Sequence, residues 1–137
     1  MRSTSYDDGD TSDALTHGVR VTVRSEYLPE HTDVAQGKWF WAYHVTIQNE
    51  GTQTVQLMSR HWIFTNAHGS EEHVRGPGVV GEQPVLQPGQ SFRYTSGCSL
   101  DTPLGSMQGT YQMVTRGGER FDAQIAPCAL AQPYGIN

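Results

Sequence analysis

Trp39, Trp41, Tyr43, Val45 and Ile47 alternate with Phe40, Ala42, His44, Thr46 and Gln48 in one unbroken run. A period of two is what a strand produces, because successive side chains point to opposite faces of a sheet. No other segment constrains the fold as strongly, and Asn49-Glu50-Gly51 ends it as a turn.

The same period recurs on both sides of this run. Val19, Val21 and Val23 read as a half-buried strand, followed by Leu28-Pro29 and a polar loop over 30–37. Val55 and Leu57 share one parity, whereas Trp62 and Phe64 take the other, so a β-bulge is expected near Ser59-Arg60. Asn66-Ala67-His68-Gly69 is a turn, a short strand follows around Glu72–Val74, and Leu86-Gln87-Pro88-Gly89 turns again. Phe92 and Tyr94 begin a strand toward Leu100, and Asp101–Gly105 turns once more. Tyr111 and Met113 mark a further strand, Gly117-Gly118 a hairpin, and Phe121, Ala123 and Ile125 the last strand, ending before Pro127. Seven or eight strands with turns every 8–12 residues or so, and no helix, predict an all-β antiparallel sandwich of immunoglobulin or fibronectin type III kind. A barrel is the rival that shares this pattern.

The 137 residues suit one domain, assigned to 17–137. Residues 1–16 are polar and acidic, with little to bury, and are expected to be a disordered tail. No run approaches the roughly 20 apolar residues of a membrane helix, and no basic-then-apolar leader opens the sequence. A cytoplasmic protein is expected. The net charge is -5, and four of the acids, Asp7, Asp8, Asp10 and Asp13, face only Arg2 within the first 13 residues. Lys38 is the sole lysine, so no basic stripe exists to track phosphates and a nucleic-acid partner is not expected. Cys98 and Cys128 lack CxxC spacing and read as thiols rather than a redox pair or metal site.

These residues offer four kinds of chemistry. Gly76-Pro77-Gly78-Val79-Val80-Gly81 matches the spacing of a dinucleotide fingerprint, which works when it opens a helix. Here Pro84 follows within three residues of Gly81, so the glycines read as a loop between strands. Their amides, with Arg75, remain a candidate nest for a polyphosphate nucleotide. Pro77 removes one donor, and Glu71, Glu72 and Glu82 outnumber Arg75 nearby. A divalent-cation site is the second candidate, from His61, His68 and His73 with Glu71 and Glu72, although the spacing matches no closed zinc pattern. Catalysis is not expected, since no nucleophile elbow or paired carboxylates in apolar company are present. The fourth candidate is a binding module: a sandwich has edge strands, and Phe40 with Ala42 lies on the face opposite the two tryptophans.

Several of these segments, in this order, resemble the ApaG (CorD) family. They are His61-Trp62, Gly76-x-Gly78-Val79-Val80-Gly81-Glu82-Gln83-Pro84, Pro88-Gly89, Tyr94-Thr95-Ser96-Gly97 and Thr102-Pro103-Leu104-Gly105-Ser106-Met107-Gln108-Gly109-x-Tyr111. The likeness runs from about Val19 to Leu130, and departs from the family at Cys98 and Thr110. It implies a fibronectin type III-like sandwich and a cytoplasmic protein with no family catalytic residues and no cofactor. It also implies a link to cobalt tolerance and magnesium efflux. Protein–protein contact is implied by eukaryotic proteins in which the same domain is appended to other modules. A protein partner is therefore the first expectation, and a nucleotide at 76–81 the second.

Overall fold

Two antiparallel sheets face one another in the computed structural model, which describes residues 10–133. The strands are β1 (Thr11–Thr16), β2 (Val19–Tyr27), β3 (Trp39–Asn49), β4 (Val55–Asn66), β5 (Glu71–Pro77), β6 (Val85–Leu86), β7 (Ser91–Leu100), β8 (Leu104–Thr115) and β9 (Arg120–Ala131). One sheet has the order β1-β2-β3-β7; the other has β5-β4-β8-β9, with β6 also paired to β4. Among the described residues there is no α-helix; the 30–37 loop holds two short 3-10 turns, Pro29–His31 and Val34–Gln36. The sandwich expected from alternation is what forms, with nine strands among the described residues rather than seven or eight.

Period two fills the core as anticipated. Val19, Val21, Val23, Trp41, Val45 and Ile47 are buried from the first sheet. Leu57, Trp62, Met107, Tyr111, Met113 and Leu130 meet them from the second. Each such side chain contributes about 1.5–3 kcal/mol by leaving water, which is what holds two otherwise half-apolar sheets together. The parity switch in β4 is a register shift between Leu57 and Ser59, one residue before the expected place. Met58 at the bulge offers its carbonyl to the Gly78 amide and the Gln83 side-chain amide, which fixes the 78–83 segment to β4.

Two expectations are corrected. Residues 11–16 are not a disordered tail: they pair with Val19–Arg24 along all of β1. The turn between them is His17-Gly18, with φ of 47° and 82°. Two left-handed residues are what a two-residue hairpin matching the strand twist requires. Residues 1–9 of the expected tail lie outside the described residues. The last strand also does not stop at Pro127 but continues to Ala131, with a register shift opposite Met107–Gly109. A proline is admissible there because β9 is an edge strand and the ladder is already interrupted.

Gly109 shows why β8 carries glycine. A Cβ at that position would collide with the His61 carbonyl and press on Trp62 Cα of the neighbouring strand. The strands approach too closely there for a side chain.

Candidate functional site

The two long sides of the sandwich differ. On one side β1 and β2 pack against β9. Ser25 Oγ donates to the Ala129 carbonyl at 2.8 Å, Trp41 Nε1 to the Ala131 carbonyl at 3.2 Å, and the Gln124 amide to Thr16 Oγ1 at 3.0 Å. On the other side the edge strands are β5 and β7, and among the described residues no hydrogen bond joins them. Between them lies a cavity of about 380 Å³. Its floor is Tyr43, Trp62, Phe64 and Tyr94, with Val74 on the β5 wall and Ser96 and Cys98 on the β7 wall. A second depression continues it, sharing Phe64, Glu72 and Ser99 and reaching Lys38, Glu71 and Asp101. The result is a groove along the open side of the sandwich.

The 78–82 segment closes one end of this groove. Val79 and Glu82 exchange backbone hydrogen bonds at 2.8 and 2.9 Å, around Val80 (φ 42°) and Gly81 (φ 82°). Both central residues are left-handed. Gly81 adopts this freely, but Val80 is β-branched and pays about 1–3 kcal/mol of backbone strain. Val80 is also 57% exposed and borders the cavity. Val80 thus sets a strained, exposed aliphatic side chain at the lip of an aromatic hollow.

Arg60 has the same parity as Trp62 and Phe64 and so projects inside the sandwich rather than out. It pairs across β4 and β8 with Tyr111 and lines the cavity. Its Nη1 donates to the carbonyls of Pro77 and Gly78 at 3.0 and 2.9 Å. The guanidinium lies against Gly76, where a Cβ would meet it at 3.0 Å. Gly78, at φ 60°, has no room for a Cβ against the Glu82 carbonyl. The glycine spacing is thus explained by packing and turn geometry around one arginine.

The phenols beside Arg60 are unusual. Tyr94 and Tyr111 hydroxyls form a short hydrogen bond. Burial pushes both phenols well above their ordinary range, and Arg60 draws them partly back. The Trp62 indole N–H, on a residue 1% exposed, has no hydrogen-bond acceptor of normal geometry, although it sits near enough to Tyr94 to favour that phenolate slightly. Burial also pushes the Cys98 thiol up to about 12, so it is a protonated half-buried group rather than a nucleophile.

The sequence candidates fall around this groove unevenly. In the 76–81 segment the amides of Gly78 and Val79 are already bonded to Met58 and Glu82, which leaves few donors for an anion nest. Gly76 is inside β5, paired with Arg60, and Arg75 is exposed opposite His61. The five metal candidates are not gathered. His61 Nε2 meets His73 Nδ1 at 2.8 Å, and His73 Nε2 meets Glu71 Oε1 at 3.0 Å, on the outer face of the sheet. Glu72 shares the face of Phe64 and lines the groove, and His68 sits exposed in the β4–β5 turn. Among the described residues no three His, Cys, Asp or Glu side chains are placed to hold one ion. Burial first, then the charge of Arg75 and the electrostatic influence of the adjacent His73, lower the His61 pKa. Phe40 is half-buried, and with Ala42 it lies on the outer face of the first sheet, opposite Ser99 and Gly97 of β7.

Sequence reading missed Arg60, Tyr43, Tyr94 and Val80 as neighbours of one hollow. The parity switch in β4 was the available signal, since it turns Arg60 inward.

Comparison with known proteins matches the ApaG domain family over residues 29–115. The ApaG protein of Rhodospirillum centenum is 54% identical over 121 residues, covering 88% of this chain and 93% of that protein. That of Anaeromyxobacter dehalogenans is 50% identical over 126 residues, covering 92% and 99%. The crystal structure of an ApaA protein from Bordetella pertussis superposes with a TM-score of 0.83 at 45% identity, covering 88% of this chain and 98% of that one. The chain belongs to the ApaG family.

Proposed function

We propose that this chain is a non-enzymatic binding module that takes an extended segment of a protein partner into the groove between β5 and β7. One observation carries the reading: two strand edges, unpaired among the described residues, flank an aromatic-floored cavity, with Val80 exposed at its lip. An unpaired edge offers a row of backbone donors and acceptors, which a partner strand satisfies by adding to the sheet. Of the two edges, β7 is the better acceptor. It is ten residues long, and its outward side chains from Thr95 to Ser99 are small and uncharged. β5 instead ends in Gly76 and Pro77. The added strand would also border Gly97 and Ser99, and beyond them Ala42 and Phe40, so the outer face predicted from sequence becomes the margin of the same surface.

The link to cobalt tolerance and magnesium efflux belongs to this reading only through a partner: the module would influence cation handling by engaging a protein, not by holding ions itself. Partner capture tests the proposal. The unsubstituted chain and Gln124→Asp on the opposite side should retain the same protein, whereas Val80→Asp should lose it. Equal retention by all three would refute the groove as the docking surface.

A further inference from the structure

The cavity is short of acceptors. Arg60 makes no ion pair among the described residues, and its remaining N–H groups are not used by the bonds to Pro77 and Gly78. The Trp62 N–H is buried and, although it lies near the Tyr94 hydroxyl, makes no hydrogen bond of normal geometry among the described residues; a buried donor left so costs about 1–3 kcal/mol unless something fills the role. The other tryptophans are satisfied, Trp39 by Gln132 and Trp41 by Ala131; among the described residues the other buried polar side-chain atom without a partner is the Ser12 hydroxyl on β1, away from this hollow. One cation, one orphan N–H and the linked Tyr94 and Tyr111 hydroxyls all line or adjoin the same space. Glu72 is the one carboxylate on its wall, and it is exposed.

The groove also has a direction. It is open at Lys38, Glu71 and Asp101 and closed at the Val79–Glu82 turn, beside Arg60. A chain laid antiparallel on β7 enters beside Leu100 and stops near Tyr94, about 20 Å further on at roughly 3.3 Å per residue. Its last residue arrives at Arg60. Resting on the docking reading above, we propose that the cavity receives the C-terminal carboxylate of an extended peptide, with Arg60 as its counter-ion and the Trp62 N–H donating to one oxygen. The three acids Glu71, Glu72 and Asp101 around the entrance, against Lys38, favour basic residues a few positions before that C-terminus.

Amide and indole NMR of the whole chain tests both levels. Propionate is the first probe and propionamide its uncharged counterpart. Saturable movement of the Trp62 indole resonance with propionate only, while those of Trp39 and Trp41 stay fixed, is the expected result. Equal movement with propionamide, or none with either, overturns the carboxylate site. The second probe is a mixed pool of octapeptides with free C-termini, compared with the same pool amidated. The free acids should bind at least about tenfold more tightly and shift β7 amides. Equal binding of both pools at β7 would leave the docking reading standing and overturn the carboxylate inference. Movement of Trp62 by propionate with no peptide binding would instead overturn the peptide as its source. Arg60→Met should abolish the propionate response. Should that variant fail to fold, Trp62→Phe keeps the aromatic floor and should weaken propionate at least several-fold; unchanged affinity would overturn the role of the indole.

Discussion

The closed and open sides of this sandwich are built from the same two sheets but to different standards. Along the closed side, Ser25, Thr16 and Trp41 bond across to β9, and Leu130 and Cys128 are buried, although the buried Ser12 hydroxyl has no partner among the described residues. Along the open side, an arginine faces inward, a valine holds a left-handed backbone and an indole N–H goes without an acceptor. Natural sequences tend to be consistent from level to level, and the places where several local rules fail together are expected to be functional. The difference teaches that the well-bonded closed side is where stability should reside, while the open side is the one the proposed binding would use.

Substitutions should separate the two. The largest loss is expected at the closed side and the strand crossing that supports it. Leu130→Ala should cost about 2–5 kcal/mol, and Gly109→Ala about 1–3 kcal/mol or more, each read as a lower urea midpoint. A Leu130→Ala chain as stable as the parent would mean β9 is not part of the cooperative core. Ser25→Ala should cost about 1–2 kcal/mol, because the Asp10 amide and the Ala129 carbonyl lose their buried partner. Val80→Asn should act in the opposite sense. Asn tolerates a left-handed backbone, so stability should rise by about 1 kcal/mol, read as a higher urea midpoint, while partner retention falls. A rise in both would remove the reason for keeping valine there.

High pH offers a finer comparison. Cys98 has its folded pKa raised to about 12 from an ordinary value of 9.0. The unfolded chain therefore releases this proton first, and stability present below pH 9 is lost as pH rises toward 12. Tyr94 and Tyr111, raised from 10.0 by burial, act in the same direction at higher pH. Cys98→Ala should flatten the decline that begins just above pH 9, as followed by denaturation at a series of pH values. An unchanged profile would show that the thiol is solvated. The smallest effect concerns His61, whose pKa is lowered: stability should fall slightly as pH drops below 6.5, and Arg75→Ala should move the His61 titration upward by NMR.

Legibility followed the same division. The Trp39–Gln48 alternation, the valines of β2 and the β4 parity switch were readable because each reports a core face directly. β1 was not: Thr11, Asp13 and Leu15 face solvent, only Ser12 is buried, and a His-Gly turn lacks the usual Asn-Gly or Asp-Gly signature. The end of β9 was missed because Pro127 ordinarily stops a strand, and only pairing reveals that it sits on an edge at a register shift. Of the glycine run 76–81, residues 78–81 form the expected loop, but Gly76 and Pro77 end β5, and the purpose of the run depends on Arg60, sixteen residues before Gly76 in sequence and adjacent only after β4 and β5 pair. The groove itself combines residues of β3, β4, β5 and β7, so no local pattern contains it.

The most direct test places a photo-reactive amino acid at Val80 or at Gln124 and irradiates living cells that express the chain. The expected result is a discrete protein adduct from Val80 that is absent from Gln124, and that is lost when Arg60→Met is added. Adducts of equal yield from both positions, or from Gln124 alone, would contradict the assignment of binding to the open side.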